Sequence, residues 1–168
     1  MSNIINWLDE LLKAIAKKIQ LSKTDYNLAR DRAASLAEHL GSQDNPLARY
    51  HPLLYPQGSF RIQATISSQI DIDDYDIDLM LELAIQASNA PDAVLDTVAD
   101  AITFGKGQRY VVEKKRRCVR VDFANMHLDV TPAVREDSML ERTSWIFDIH
   151  PHRPDHILSN PEGFAQWF

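Results

Sequence analysis

Asp76 and Asp78 stand one residue apart in the run Tyr75-Asp76-Ile77-Asp78-Leu79-Met80-Leu81. In a strand, successive side chains point to opposite faces. The two carboxylates then share one face, and Ile77, Leu79 and Leu81 share the other. Two such charges about 4 Å apart at an effective dielectric of about 20 repel by roughly 4 kcal/mol. A fold keeps them together when a proton or a cation lies between them. Hard oxygen ligands of this kind suit Mg²⁺ or Mn²⁺. Taken alone, the pair also fits the solvent face of a half-buried strand. Asp71, Asp73 and Asp74, just before it, read as ordinary solvated loop charge.

Two further pieces bear on the same chemistry. Asp129 lies in His127-Leu128-Asp129-Val130-Thr131, where polar and apolar residues alternate as in a strand. Placed beside Asp76 and Asp78, it would complete a three-carboxylate site able to hold two cations. Asp122 is a rival for that third place. Gly58-Ser59 precedes the acidic strand. Glycine permits close backbone approach, a helix starting there would offer N–H groups to a phosphate, and the Ser59 hydroxyl would add a hydrogen bond. Most such pairs, met alone, are simply turns. His127 reads as a hydrogen-bonded structural residue. His150, His152 and His156 cluster around prolines, but they lack partnering cysteines or helical spacing, so zinc is not favoured.

The elements that must position these groups follow from periodicity. Trp7, Leu8, Leu11, Leu12, Ile15 and Ile19 give an amphipathic helix over 4–20. Ser22-Lys23-Thr24-Asp25 resembles a capping box, and a second helix runs to about Leu40 with Gly41 as a C′ residue. Leu53-Leu54-Tyr55 is a strand start or an extended entry, Gly58-Ser59 opens a short helix, and 75–83 is the acidic strand. Pro91 starts a helix to about Phe104, ended by Gly105-Lys106-Gly107. Strands follow at Arg109 to Val112, Cys118 to Phe123 and Met126 to Val130. Lys114-Lys115-Arg116-Arg117 reads as a solvated hairpin turn, with a phosphate or partner contact as the lesser alternative.

At 168 residues with 45% hydrophobic content the chain can bury one sizeable core. Net charge is −6 and the pI is near 5.4, which argues against a large basic footprint for duplex nucleic acid. It leaves room for a nucleotide brought to an acidic site by Mg²⁺. The single cysteine, Cys118, excludes an intrachain disulfide and reads as a packed thiol. No stretch approaches the roughly 20 apolar residues of a membrane span, and no secretory pattern is present. A cytoplasmic location is the default expectation.

Gly58-Ser59-Phe60-Arg61, Asp76-Ile77-Asp78-Leu79 and Leu128-Asp129-Val130-Thr131-Pro132-Ala133 resemble the nucleotidyltransferase superfamily with the polymerase-β-like palm. With Ser159-Asn160-Pro161-Glu162-Gly163-Phe164-Ala165-Gln166-Trp167-Phe168, the chain is most similar to the bacterial cGAS/DncV-like nucleotidyltransferases (SMODS domain) of anti-phage signalling. The resemblance covers the chain from about Tyr55 onward. It implies an α+β fold: a palm with a mixed or antiparallel sheet flanked by helices. Residues 1–40 would be two N-terminal helices packing on the core, 41–150 the palm, and 151–168 the start of a helical region.

The resemblance also implies roles. Asp76 and Asp78 would bind two Mg²⁺ (or Mn²⁺) ions, and Asp129 would bind the one facing the attacking ribose hydroxyl. Gly58, Ser59 and Arg61 would contact the triphosphate, with Ser159 and Asn160 as candidates for reading a base. A turn before Pro161 is the alternative for that last pair. The implied partners are nucleoside triphosphates, with regulatory proteins of CBASS anti-phage defence and a downstream effector that binds the product. The product would be a cyclic di- or trinucleotide. The alternatives are another nucleotidyltransferase acting on protein or RNA ends, and a non-catalytic nucleotide-binding module.

Two departures stand out. The loop reads Gln63-Ala64-Thr65, where many members carry a glycine before the threonine. Members also continue into a helical C-terminal half that closes the nucleotide cleft, and that domain is missing from this chain as read. A chain ending on Phe-Ala-Gln-Trp-Phe is therefore expected to be truncated, to bind metal and nucleotide weakly and to synthesise little.

Overall fold

The computed structural model describes residues 2–66, 75–105, 110–134, 143–150, 152 and 155–168, with side chains from residue 6 onward. The readings of Asp71, Asp73 and Asp74 as loop, of Lys106-Gly107 as a helix stop, of Arg109 as a strand start, and of Pro151 and Pro154 fall outside the described residues.

The sheet is built around one parallel pair. Strand β2 (Tyr75–Leu83) lies beside β5 (Met126–Val134) in parallel register. On its other side β2 pairs antiparallel with β1 (Leu53–Pro56). The first half of β5 pairs antiparallel with β4 (Val119–Phe123), which pairs with β3 (Val111–Lys114). Its last two residues turn to β6 (Ser144–Asp148), which pairs with β7 (Asp155–Ser159). The sheet is thus mixed, as expected. β6 and β7 are additions to the sequence reading, and β5 runs four residues further than the predicted end at Val130.

Alternation explains which face is core. Ile77, Leu79, Leu81, Val119, Val121, Leu128 and Val130 are all fully buried. They pack in one cluster with Leu36 and Leu40 of α2 (Lys23–Gly41) and with Leu95, Val98 and Ile102 of α4 (Pro91–Thr103). Burying a side chain of this size contributes about 1.5–3 kcal/mol, so a one-residue slip of β2 would expose a whole row and bury its acids. β2 changes character along its length. Asp76 is exposed and Asp78 half-buried, but Met80 and Glu82 on the same face are buried. The acidic face is therefore open at one end of the sheet and covered at the other. Buried Glu82 accepts hydrogen bonds from the Tyr55 and Ser144 hydroxyls, each at 2.8 Å.

The helices differ from the sequence reading in two places. Ser22 does cap α2, its side chain accepting from the Asp25 N–H at 3.1 Å. Gly41, however, is the last helical residue, and the chain leaves through extended Ser42. A left-handed glycine is found instead at Gly105, φ +64°, after α4. The amphipathic stripe of α1 (Ser2–Ile19) was expected to pack on the core, but Trp7, Leu8, Leu11, Leu12 and Ile15 are exposed.

The basic turn also corrects its reading. The Arg116 Nε and Nη2 donate to the two oxygens of Asp148 at 2.6 and 2.8 Å, and Arg117 Nε donates at 2.9 Å. These charges pin the β3–β4 hairpin to β6 rather than simply meeting solvent. No helix of the described residues is long and apolar enough to cross a membrane.

Candidate active site

Parallel register places Asp78 of β2 directly beside Asp129 of β5. Asp76, two residues back, lies beside His127. All three acids share the face opposite the buried row. The structure thus brings together the three carboxylates singled out in the sequence. Their mutual repulsion is visible in Asp78: burial first, then the charges of Asp129 and Asp76, push its carboxyl above the usual range, with Arg120 opposing.

The Gly58-Ser59 turn is held against this face. Strand β1 ends at Pro56, opposite Leu79, and the Gln57 N–H donates to the Asp78 carbonyl at 2.9 Å. One turn of helix, α3 (Gly58–Arg61), follows. Gly58 adopts φ +57°, and a Cβ there would lie 2.6 Å from Asp78 Oδ2. Only glycine lets the backbone approach the carboxylate this closely. Ser59 Oγ lies 3.2 Å from Thr65 Oγ1. The loop at the site of the expected glycine places Gln63 in the left-handed region, φ +58°.

The remaining predicted residues have other partners. Arg61 forms a fork with Glu162, Nη2 to Oε1 at 2.8 Å and Nε to Oε2 at 3.2 Å. This ties α3 to α5 (Pro161–Trp167). Ser159 ends β7, and Asn160 is the N-cap of α5, its Oδ1 accepting from the Gly163 N–H at 2.6 Å. The turn before Pro161 is therefore an N-cap. Asp122, the rival third acid, lies opposite His127, two register positions from the Arg120–Asp129 pair, with its Oδ1 2.8 Å from His127 Nδ1. The Cys118 thiol is pushed up to about 12, by burial first and then by Asp129.

The sequence reading missed Arg120. Its Nε and Nη2 donate to Asp129 Oδ1 and Oδ2, both at 2.8 Å, and Nη2 lies 3.0 Å from Asp76 Oδ1. A signal for it was available. The two residues Ala124-Asn125 between β4 and β5 make a tight hairpin, with Phe123 opposite Met126. Counting back along both strands puts Arg120 opposite Asp129.

The chain is similar to known proteins in sequence and in fold. The family model described as "Second Messenger Oligonucleotide or Dinucleotide Synthetase domain" (SMODS) matches residues 7–168. The chain belongs to the SMODS family. It is 33% identical to the cyclic dinucleotide synthase CdnG of Bradyrhizobium diazoefficiens over 96% of this domain and 39% of that protein. The structure of that CD-NTase in complex with GTP superposes with a TM-score of 0.79 at 28% identity, over 95% of this chain and 45% of that one. Escherichia coli DncV in its 3′-deoxy GTP bound form matches with a TM-score of 0.66 at 15% identity, over 91% of this chain and 58% of that one, a likeness of fold. The SMODS chain described here thus spans less than half the length of CdnG.

Proposed function

We propose that this SMODS chain carries the metal- and triphosphate-binding part of a nucleotidyltransferase that joins nucleoside triphosphates into cyclic di- or trinucleotides. The observation that supports the reading best is the convergence of Asp76, Asp78 and Asp129 on one face, with the Gly58 backbone against Asp78. The donor set fits Mg²⁺ or Mn²⁺: three carboxylates, all hard oxygen ligands, already gather one positive group, the Arg120 guanidinium. Asp76 and Asp78 would hold two such ions and Asp129 one of them. When bound, the ions neutralise the triphosphate and make the attacking hydroxyl more acidic.

The protein's own groups do the rest. Ser59, braced by Thr65, hydrogen-bonds the triphosphate. With a single turn, α3 adds little dipole, so contact and close approach matter more there than field. Asp129 orients the attacking ribose hydroxyl and accepts its proton. The hydroxyl oxygen bonds to the α-phosphorus, the bond to the β-phosphate oxygen breaks, and pyrophosphate leaves. A second attack of the same kind closes the ring. Arg61 would reach a phosphate by giving up Glu162, and Ser159 and Asn160 would border the base. CdnG is named a cyclic dinucleotide synthase, and its structure contains GTP; the same substrate class is proposed here. The setting would be the cytoplasm and CBASS signalling, with its regulators and a product-binding effector.

The test is carboxylate-dependent nucleotide binding. GTP or ATP with Mn²⁺ is titrated into the 168-residue chain and into Asp76→Asn/Asp78→Asn, alongside product analysis with α-labelled triphosphates. Binding that falls at least tenfold in the double variant is expected. Equal binding by the two proteins refutes the assignment, and label transferred to protein or RNA favours the other nucleotidyltransferases.

A further inference from the structure

The acidic face already contains a cation of its own. Arg120 projects from β4, and its neighbour in register on β5 is Asp129. Its planar fork takes both oxygens of Asp129 at 2.8 Å, and the same Nη2 reaches Asp76 Oδ1 at 3.0 Å. One guanidinium therefore bridges the two strands that supply the carboxylates. It is only 23% exposed, and Asp129 only 15%. Charge-assisted forks of this kind are among the stronger hydrogen-bonded pairs. Asp78 is not a hydrogen-bond partner of Arg120 and is the acid whose carboxyl is pushed above its usual range. The two contacts also differ. The Asp129 fork is bidentate and mostly enclosed, whereas Asp76 gives one oxygen and is 55% exposed.

We propose that Arg120 is the counter-ion of the metal-free site and competes with divalent cations for Asp76 and Asp129. The inference rests on the metal assignment above and adds a residue and a direction to it. A cation entering beside Asp78 meets an Asp76 with one oxygen engaged by Arg120, and coordination by Asp129 must open a fork that holds both of its oxygens. Arg120 thus holds two of the three mutually repelling acids, Asp76 and Asp129, in place without metal, at the expense of metal affinity. A residue that only oriented Asp129 would act in the opposite sense, because its removal would loosen a ligand.

The experiment measures Mn²⁺ binding to the metal-free chain at constant pH, by calorimetry or by the electron paramagnetic resonance signal of free Mn²⁺. Wild type, Arg120→Met and Arg120→Lys are compared. Arg120→Met is expected to bind Mn²⁺ about tenfold more tightly, the equivalent of about one charge-assisted contact relieved. Arg120→Lys, which keeps the charge and loses the fork, is expected to fall between. Thermal melting gives a second reading. Metal-free Arg120→Met should melt below wild type, and Mg²⁺ should raise its melting temperature by more than it raises that of wild type. Mn²⁺ affinity that is unchanged or weaker in Arg120→Met, with binding intact in wild type, overturns this inference alone. Absence of Mn²⁺ binding in every protein overturns the metal assignment and this inference together.

Discussion

Replacing Gly58 with alanine separates the close approach of the Gly-Ser turn from ordinary turn geometry. Two costs arise at this position. A non-glycine residue at φ +57° is strained by about 1–2 kcal/mol. The new Cβ would also sit 2.6 Å from Asp78 Oδ2, and 3.3 and 3.4 Å from its Cγ and Cβ. The carboxylate must then rotate off its position, at about 0.5–1.5 kcal/mol for an off-rotamer side chain. Together these predict a loss of about 2–3 kcal/mol in stability, read as a lower urea midpoint. Gly105→Ala is the internal control. Its φ is similar, +64°, but nothing among the described residues lies within 4 Å of a Cβ there, so strain alone applies, about 1–2 kcal/mol. The functional readout is Mn²⁺ affinity by calorimetry. Gly58→Ala displaces one ligand and should weaken binding about tenfold, whereas Gly105→Ala should leave it unchanged. If the two variants lose the same stability and both keep wild-type Mn²⁺ affinity, the reasoning that couples Gly58 to Asp78 is wrong.

Three further outcomes follow from particular residues. Gln63 at φ +58° should be relieved by Gln63→Gly. Removing about 1–2 kcal/mol of strain against roughly 0.5–1 kcal/mol of added unfolded-chain entropy predicts a slightly higher urea midpoint, and a lower one would contradict the strain. Asp148, held down to about 2 by hydrogen bonds from Arg116 and then Arg117, binds protons more weakly when folded than when unfolded. Its stabilisation is therefore complete above the ordinary value of 3.8 and is lost as pH falls towards 2. Both arginines are about half exposed, which limits the effect to about 1 kcal/mol; acid titrations of wild type and Asp148→Asn should converge across that window. Cys118, its thiol pushed up to about 12, should resist a disulfide reagent at pH 8 in the native protein and react fully in urea; rapid native labelling would show the packing to be wrong.

The sequence by itself determined what depends on local order. Tyr75–Leu83 is a strand with acids on one face because apolar residues alternate with them, and the strand's limits agree with the reading. Ser22 caps α2 and Pro91 opens α4 through interactions within a few residues. The Gly58-Ser59, Asp76-Ile77-Asp78 and Leu128-Asp129-Val130 motifs carry the resemblance to the family within short stretches of chain. What tertiary structure decided are pairings between distant segments. Asp78 meets Asp129 only through the register of a parallel pair about 50 residues apart in sequence. β6 and β7 are short and exist by pairing from the end of β5, so their own residues signal them weakly. Asp148 gives the basic turn its partner from another strand, and α1 carries an amphipathic pattern that the described fold leaves exposed. Arg120 lies between these limits. Its hairpin placed it opposite Asp129 by simple counting, but its second contact, to Asp76, required β2 and β4 to flank β5 in one sheet. Periodicity fixes which face a side chain takes; only the folded register fixes which charge stands next to it.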